Sequence, residues 1–105
     1  FQALRMFIND ELGQLRRALA AALDELDVGG RLAAISFHSL EDRTVKQFIQ
    51  ANSSVDPVYA GLPVIPESAR PRLARVGSKT RASEAELAAN PRARSSVLRV
   101  ALKVR

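Results

Sequence analysis

A cluster of polar side chains follows a short apolar run near the middle of the chain. The run Leu32–Phe37 is bounded by Gly29-Gly30, a pattern typical of a strand that is covered on both faces. The next side chains can exchange protons or form hydrogen bonds: His38, Ser39, Glu41 and Asp42. Because ligands bind at the carboxyl ends of strands in open α/β sheets, this loop is the first candidate active site.

Each of these side chains also has a structural interpretation. His38, the only histidine, contacts a ligand, or orients the loop, or is a structural residue that caps the end of the strand. Ser39 fits a helix N-cap better than a catalytic hydroxyl, with Asp42 completing a capping-box-like pair. Glu41 and Asp42 are adjacent, so on a helix they diverge by about 100° and cannot form a catalytic carboxylate pair. One of them is expected to support the helix start or to pair with an arginine.

A second polar segment precedes the end of the chain, and arginine dominates it. Its forked guanidinium groups suit phosphate, so we interpret the segment as a substrate-side loop formed by Asn90, Arg92, Arg94 and Ser95. The alternative is a solvated turn that docks by a salt bridge onto the loop after Phe37. Basic loops are often only solvated, so Arg70, Arg72 and Arg75 are weaker candidates for binding phosphate.

The first half of the chain has the periodicity of a helix, a strand and a second helix. Leucines at spacings of three and four predict a one-sided amphipathic helix over residues 1–27, which should cover a sheet. A second helix is expected after the strand, ending near Ala51. An irregular connection follows at about 53–76 and contains four of the five prolines. A helix-strand-helix order favours a parallel or mixed sheet.

The second half is predicted to add two strands and a short helix. A short strand is expected at Leu73–Val76, continuing toward Lys79. Ser83 and Glu86 have the spacing of a capping box, which predicts a helix to about Ala89. Apolar and polar residues then alternate over Val97–Val104, the period of a half-exposed strand.

Composition narrows the class of protein. The chain has 105 residues, enough for one small domain, and no cysteine, which excludes disulfides and thiolate metal sites and fits a reducing cytosol. No apolar run is long enough for a membrane span, and no signal peptide is visible. Residues 52–105 carry ten Lys/Arg against four Asp/Glu, whereas residues 1–51 carry six against seven. This asymmetry is expected of a surface that faces nucleic acid.

Six sequence blocks, which together extend over essentially the whole chain, have the order and spacing of blocks in one known family. They are Phe1-Gln2-Ala3-Leu4-Arg5, Asn9-Asp10-Glu11-Leu12, Gly29-Gly30-Arg31-Leu32, Ile35-Ser36-Phe37-His38-Ser39-Leu40-Glu41-Asp42-Arg43, Ser83-Glu84-Ala85-Glu86 and Asn90-Pro91-Arg92-Ala93-Arg94-Ser95. Together they resemble the C-terminal part of the bacterial 16S ribosomal RNA (cytosine-N4)-methyltransferases. The fourth and sixth blocks are specific when they occur together.

The resemblance implies an α/β fold that is the C-terminal part of a class I (Rossmann-like) methyltransferase sheet with a reversed last strand. In that family Leu32–Phe37 would be the fifth strand, the segment near Leu73–Lys79 the sixth and Val97–Val104 the antiparallel seventh. Residues 1–105 would be the C-terminal portion of the domain, without its cofactor-binding half and helical insertion. The chain, which has no initiator Met, is therefore expected to be a piece of a longer protein.

The resemblance also implies an activity: transfer of a methyl group from S-adenosylmethionine to N4 of a cytidine in 16S rRNA, in the cytoplasm. The cofactor site is expected upstream, so no residue here is assigned to it, and the isolated piece is expected to be inactive. The partner would be 16S rRNA or the small ribosomal subunit, with no metal and no membrane. The strand-end loop becomes the candidate active-site loop, and the RNA-binding group becomes Asn90, Arg92, Arg94, Ser95 and Arg43.

Two other functions compete with this one. The first is a non-catalytic RNA- or ribosome-binding α/β module that keeps only this part of the fold. The second is an unrelated α/β nucleotide-binding domain, which the paired motifs disfavour. Gly29-Gly30 does not support the second, because it precedes a strand whereas a cofactor loop follows one.

Overall fold

A computed structural model describes residues 2–55, 57–59 and 61–105. Phe1, which the sequence places in the first helix, and two positions of the 53–76 connection lie outside the described residues. The helices and strands follow in the order α1 (Gln2–Glu25), β1 (Arg31–Ser36), α2 (Ser39–Asn52), β2 (Leu73–Arg75), β3 (Thr80–Arg81), α3 (Glu84–Ala89) and β4 (Val97–Lys103). Short 3-10 turns occur at Pro57–Tyr59, Glu67–Ala69 and Pro91–Ser95.

The strands form one small sheet around β4. The order is β1-β4-β2, and β3 also pairs with β4. Each ladder among the described residues pairs one strand with β4, and each of these ladders is antiparallel. It follows that β1 and β2 run in the same direction, with the last strand reversed between them. The sequence predicts a parallel or mixed sheet, but no two of these strands pair in parallel within the described residues.

The hydrophobic core lies on one face of this sheet. It combines the C-terminal half of α1 with the apolar face of α2 and with β2 and β4, through Leu19, Leu23, Val45, Ile49, Leu73 and Ala101. The leucine stripe of α1 thus covers the sheet only in part, since its N-terminal half leaves large apolar side chains exposed, among them Leu4, Met6 and Phe7.

The expectation that the first strand is covered on both faces is wrong for this chain. Leu32 and Ala34 pack against the core, whereas Ile35 on the other face is 63% exposed and Phe37 beyond the strand is 51% exposed. The reason is the placement of the helices, because α1 and α2 contribute to the same core on the same side of the sheet. Alternate residues of the apolar run therefore face the core and the solvent.

The last strand buries the face opposite to the one that its alternation predicts: Val97, Arg99, Ala101 and Lys103 point toward the helices, and Leu98, Val100 and Leu102 lie on the other face. Val97, Ala101 and Lys103 are buried, while the apolar residues between them are only half-buried. The Lys103 ammonium crosses to the end of α1, where its Nζ donates to the carbonyl oxygens of Leu23 at 2.8 Å and Leu26 at 2.5 Å. The last carbonyls of a helix lack intrahelical donors, so this lysine caps α1 and ties it to the sheet.

We expect Lys103→Met to lower the free energy of unfolding by about 1–3 kcal/mol, because it leaves the buried Leu23 carbonyl without its donor. The measurement is the urea midpoint of unfolding of the protein, compared with the exposed-lysine control Lys46→Met, for which a change within about 0.5 kcal/mol is expected. A midpoint for Lys103→Met equal to that of the control would contradict the capping role.

Candidate functional site

Two polar segments leave the sheet at one edge. In the β1–β4 ladder, Ser36 at the end of β1 lies opposite Val97 at the start of β4. Because these strands are antiparallel, the residues that follow Ser36 and those that precede Val97 emerge side by side. We call residues 37–42 and 90–96 the strand-end edge. The structure thus brings together the histidine-bearing loop and the arginine-bearing loop that the sequence singled out.

The start of α2 differs from the predicted capping box. His38 occupies the N-cap position with an extended backbone (φ −127°, ψ 147°), and its side chain makes no capping hydrogen bond within the described part of the chain. Ser39 is the first helical residue, so its predicted N-cap role is wrong. The Glu41 carboxylate supports the helix start instead, since its Oε1 accepts a hydrogen bond from the Phe37 N–H at 3.4 Å. Negative charge in this first turn also complements the helix dipole.

Asp42 forms a two-point ion pair with Arg99 on β4. Arg99 Nε donates to Oδ1 at 2.6 Å and its second nitrogen donates to Oδ2 at 3.0 Å. The Arg99 and Asp42 side chains are only 17% and 20% exposed, which makes this pair stronger than an ordinary surface salt bridge. These hydrogen bonds hold the pKa of Asp42 below its usual range despite partial burial, and the nearby cations Lys79 and Arg81 lower it further. Asp42 is therefore an anchored anion.

Glu41 and Asp42 accordingly divide the two roles expected of them. Glu41 supports the helix start and Asp42 pairs with an arginine, but the sequence did not identify Arg99 as that partner. The strand alternation contains no signal for this pair, because it groups Arg99 with Lys103 on the polar side of β4, which the structure buries. Arg99 shares its strand face with Val97 and Ala101, both buried, and an arginine on the buried face of a strand requires a partner.

Two caps build the loop that precedes β4. The Ser83 hydroxyl accepts a hydrogen bond from the Glu86 N–H at 3.2 Å and starts α3, as the spacing predicts. Asn90 then begins the 3-10 turn Pro91–Ser95, because its Oδ1 accepts from the Arg92 N–H at 3.2 Å. The Asn90 side chain therefore shapes the loop itself.

The remaining candidate side chains lie in solvent. Five of them are exposed in the structure: His38, Arg43, Arg92, Arg94 and Ser95. They offer guanidinium, imidazole and hydroxyl groups, which bind phosphate oxygens and base edges by charge and hydrogen bonding. The arrangement supplies positive charge and hydrogen-bond donors at an open edge, where an extended ligand has access.

The weaker candidates of the connection belong to the other end of β4. Arg72 pairs with Asp24 of α1 at 2.9 Å, a surface ion pair of modest strength. The Arg70 carbonyl accepts hydrogen bonds from the Arg105 guanidinium at 3.1 and 3.3 Å. Arg75 lies opposite Ala101 in the β2–β4 ladder. Arg72 is thus engaged in holding the connection, and none of the three belongs to the strand-end edge.

The diglycine serves the turn from α1 into β1. Gly29 has φ of +92°, and a Cβ on Gly30 would lie 2.7 Å from the Leu26 side chain and 2.9 Å from the Asp27 carbonyl oxygen. The Gly30 N–H donates to that same oxygen at 2.8 Å, which closes the turn. This turn follows a helix and opens a strand, whereas a glycine-rich cofactor loop follows a strand and opens a helix.

Within residues 2–55, 57–59 and 61–105, no group of three or more His, Asp or Glu side chains is arranged to hold a metal ion. None of the helices in these ranges has both the length and the apolar character needed to cross a membrane.

Comparison with known proteins identifies the family. Residues 1–104 match the model of the MraW methylase family, and the chain belongs to that family. A curated relative from Halorhodospira halophila (strain DSM 244 / SL1), ribosomal RNA small subunit methyltransferase H, is 58% identical over 101 residues. The match covers 96% of this chain and 31% of the relative, so the chain spans about a third of that protein's length.

The Asp42–Arg99 pair predicts an acid-dependent loss of stability. At neutral pH, Asp42→Asn is expected to lower the free energy of unfolding by about 2 kcal/mol. Since the pKa of Asp42 is lower in the folded protein than in the unfolded chain, its contribution is complete above the unfolded pKa. It is then lost as the pH falls through the folded-state pKa.

The measurement is urea unfolding of wild-type protein and Asp42→Asn from pH 7 into the acid range. The difference between the two should shrink on acidification. Glu25→Gln, which changes an exposed carboxylate, is the control and should differ from wild type by less than about 0.5 kcal/mol. A difference for Asp42→Asn that persists unchanged in acid would exclude the ionised pair as its source.

Proposed function

We propose that this chain is the C-terminal part of an enzyme that transfers a methyl group from S-adenosylmethionine to N4 of a cytidine in 16S rRNA. Membership of the methylase family and the name of the 58% identical relative support this. The observation that carries the role of this chain is the strand-end edge, because the segments that bear His38 and the exposed arginines Arg92 and Arg94 leave the sheet at the same end. The enzyme would act in the cytoplasm on 16S rRNA or the small subunit.

We also propose that the sheet is the end of a class I, Rossmann-like methyltransferase sheet. In that arrangement β1, β2 and β4 correspond to its fifth, sixth and reversed seventh strands. The placement of β4, antiparallel between two strands of the same direction, supports the correspondence. The long irregular connection at 53–76 would then link the helix after the fifth strand to the sixth.

The chemistry sets requirements that this chain can meet only in part. The exocyclic amine of cytosine is a weak nucleophile, so the enzyme must hold it in line with the methyl group and accept a hydrogen bond from it. Reaching that amine requires the base to leave its stack. The cofactor supplies the methyl group; the residues described here serve the substrate side.

Within this proposal the strand-end edge binds RNA and shapes one wall of the site. Arg92, Arg94 and Ser95 contact the RNA backbone, Arg43 adds charge, and Asn90 keeps their loop in shape. We assign to His38 and Ser39 the hydrogen bonds to the target nucleotide, because both side chains are exposed in the loop that follows β1. Asp42 acts as a positioning residue, because its pair with Arg99 fixes the first turn of α2 behind His38.

The full-length protein that contains this chain should transfer labelled methyl groups from S-adenosylmethionine to small-subunit RNA. Nuclease digestion and mass spectrometry should place the label on N4 of a cytidine. Labelling at another atom, or labelling in no RNA, would refute the assignment. RNA binding without any methyl transfer would favour the alternative, a non-catalytic RNA- or ribosome-binding module.

In an equilibrium RNA-binding titration of the full-length protein, Arg92→Gln with Arg94→Gln should weaken binding about tenfold. If each arginine contacts one phosphate of single-stranded RNA, the slope of log affinity against log salt should fall by about 1.4. Arg16→Gln with Arg17→Gln removes the same charge from exposed positions of α1 and is the matched control. Equal effects of the two pairs would rule out a specific role for the loop.

A further inference from the structure

A bulge separates the two short strands that pair with the outer side of β4. Arg75 lies opposite Ala101 and Thr80 lies opposite Leu98, so four residues, 76–79, face only two on β4. Gly77 in this segment has φ of +69°, a left-handed conformation that glycine adopts without strain. The Val76 N–H still donates to the Val100 carbonyl at 3.0 Å. The extra residues are therefore pushed out of the ladder.

The bulge forms one wall of a cleft of about 300 Å³, and α2 forms the other. We call it the bulge cleft. Its lining includes four cationic side chains and no carboxylate: Lys46, Arg75, Lys79 and Arg99. Arg81 lies just beyond, near enough to Asp42 to help lower the pKa of that carboxyl. Because Asp42 neutralises Arg99, the uncompensated positive charge at the cleft comes from Lys46, Arg75 and Lys79, and an anion would balance it.

Carboxylates within the described residues balance only a part of this charge. The two ion pairs found there are Arg99 with Asp42 and Arg72 with Asp24. Neither involves Lys46, Arg75 or Lys79, all three of which are exposed at the mouth of the cleft. Their long side chains can reach a shared ligand without leaving solvent.

We propose that the bulge cleft binds a phosphate of the RNA backbone, separately from the strand-end edge. This rests on the proposed function, which supplies RNA as the polyanion. The cleft is open, so a continuous strand can pass through it, and lysines bind phosphate as mobile point charges. Val100 in the cleft and Val97 at the strand-end edge are three residues apart on β4, or about 10 Å. One RNA strand can therefore span both.

The test uses the full-length protein and two labelled single-stranded RNAs, one with the target sequence of 16S rRNA and one scrambled. Lys46→Gln with Lys79→Gln should weaken binding of both RNAs about tenfold, because phosphate contacts carry no sequence information. Loss of one phosphate contact should reduce the salt slope by about 0.7. Both lysines are exposed, so the variant should fold, which circular dichroism verifies.

Two controls make the result specific. Lys46→Arg with Lys79→Arg keeps the charge and should bind within about twofold of wild type, as should Arg16→Gln with Arg17→Gln on α1. If the Lys46→Gln, Lys79→Gln variant also stays within that range and keeps its salt slope, the bulge cleft is not an RNA site. An effect on the target RNA alone would likewise overturn a phosphate role.

The outcomes also separate this proposal from the enzymatic one. If wild-type protein methylates RNA and the lysine variant binds RNA normally, the cleft proposal fails and the methyl-transfer proposal stands. If the lysine variant loses affinity for both RNAs while wild-type protein transfers no methyl group, the cleft proposal stands and the enzymatic one fails.

Discussion

The whole arrangement of the chain depends on the last strand, β4, which is paired along both edges. Within the described part of the chain, each of the other strands is hydrogen-bonded to β4, which joins β1 to β2. Its helix-facing side chains then fix the other layer. Arg99 holds the first turn of α2, Ala101 lies in the core, and Lys103 caps the end of α1. Three residues at successive inward positions thus determine how two helices sit on the sheet.

This constraint also organises the surface proposed to bind RNA. Because Arg99 is joined to Asp42, the helix that begins at the strand-end edge is fixed in direction, and His38 stays exposed in front of it. The same arginine lines the bulge cleft on its other side. The Asp42–Arg99 pair therefore lies beside both surfaces that are proposed to bind RNA.

The features that could be predicted from sequence are those set by neighbours along the chain. The amphipathic stripe of α1, the short strand before His38 and the Ser83 cap each depend on residues a few positions apart, and each is present in the structure. The features that were missed depend on pairing between distant segments. The burial of Lys103 and its contact with the end of α1 join residues 77 and 80 positions apart.

In the candidate site, too, local features could be predicted from the sequence and contacts between distant segments could not. Composition and motif spacing pointed to the two loops, and the β1–β4 register explains why they share an edge. The partner of Asp42 could not be identified, because choosing Arg99 among many arginines requires the strand register. Ser39 was misassigned as the N-cap because the helix begins one residue earlier than the pattern indicated, with His38 in the cap position. The bulge at 76–79 left no clear sequence signal beyond Gly77.

The central claim is that the strand-end edge, at the end of β1 and the start of β4, faces RNA. Ultraviolet cross-linking of the full-length protein to small-subunit RNA, followed by mass spectrometry of the linked peptides, tests it most directly. The account predicts that, within this chain, cross-links concentrate in peptides that contain residues 37–43 and 90–95. Cross-links confined to α1, with none at the strand-end edge, would contradict it.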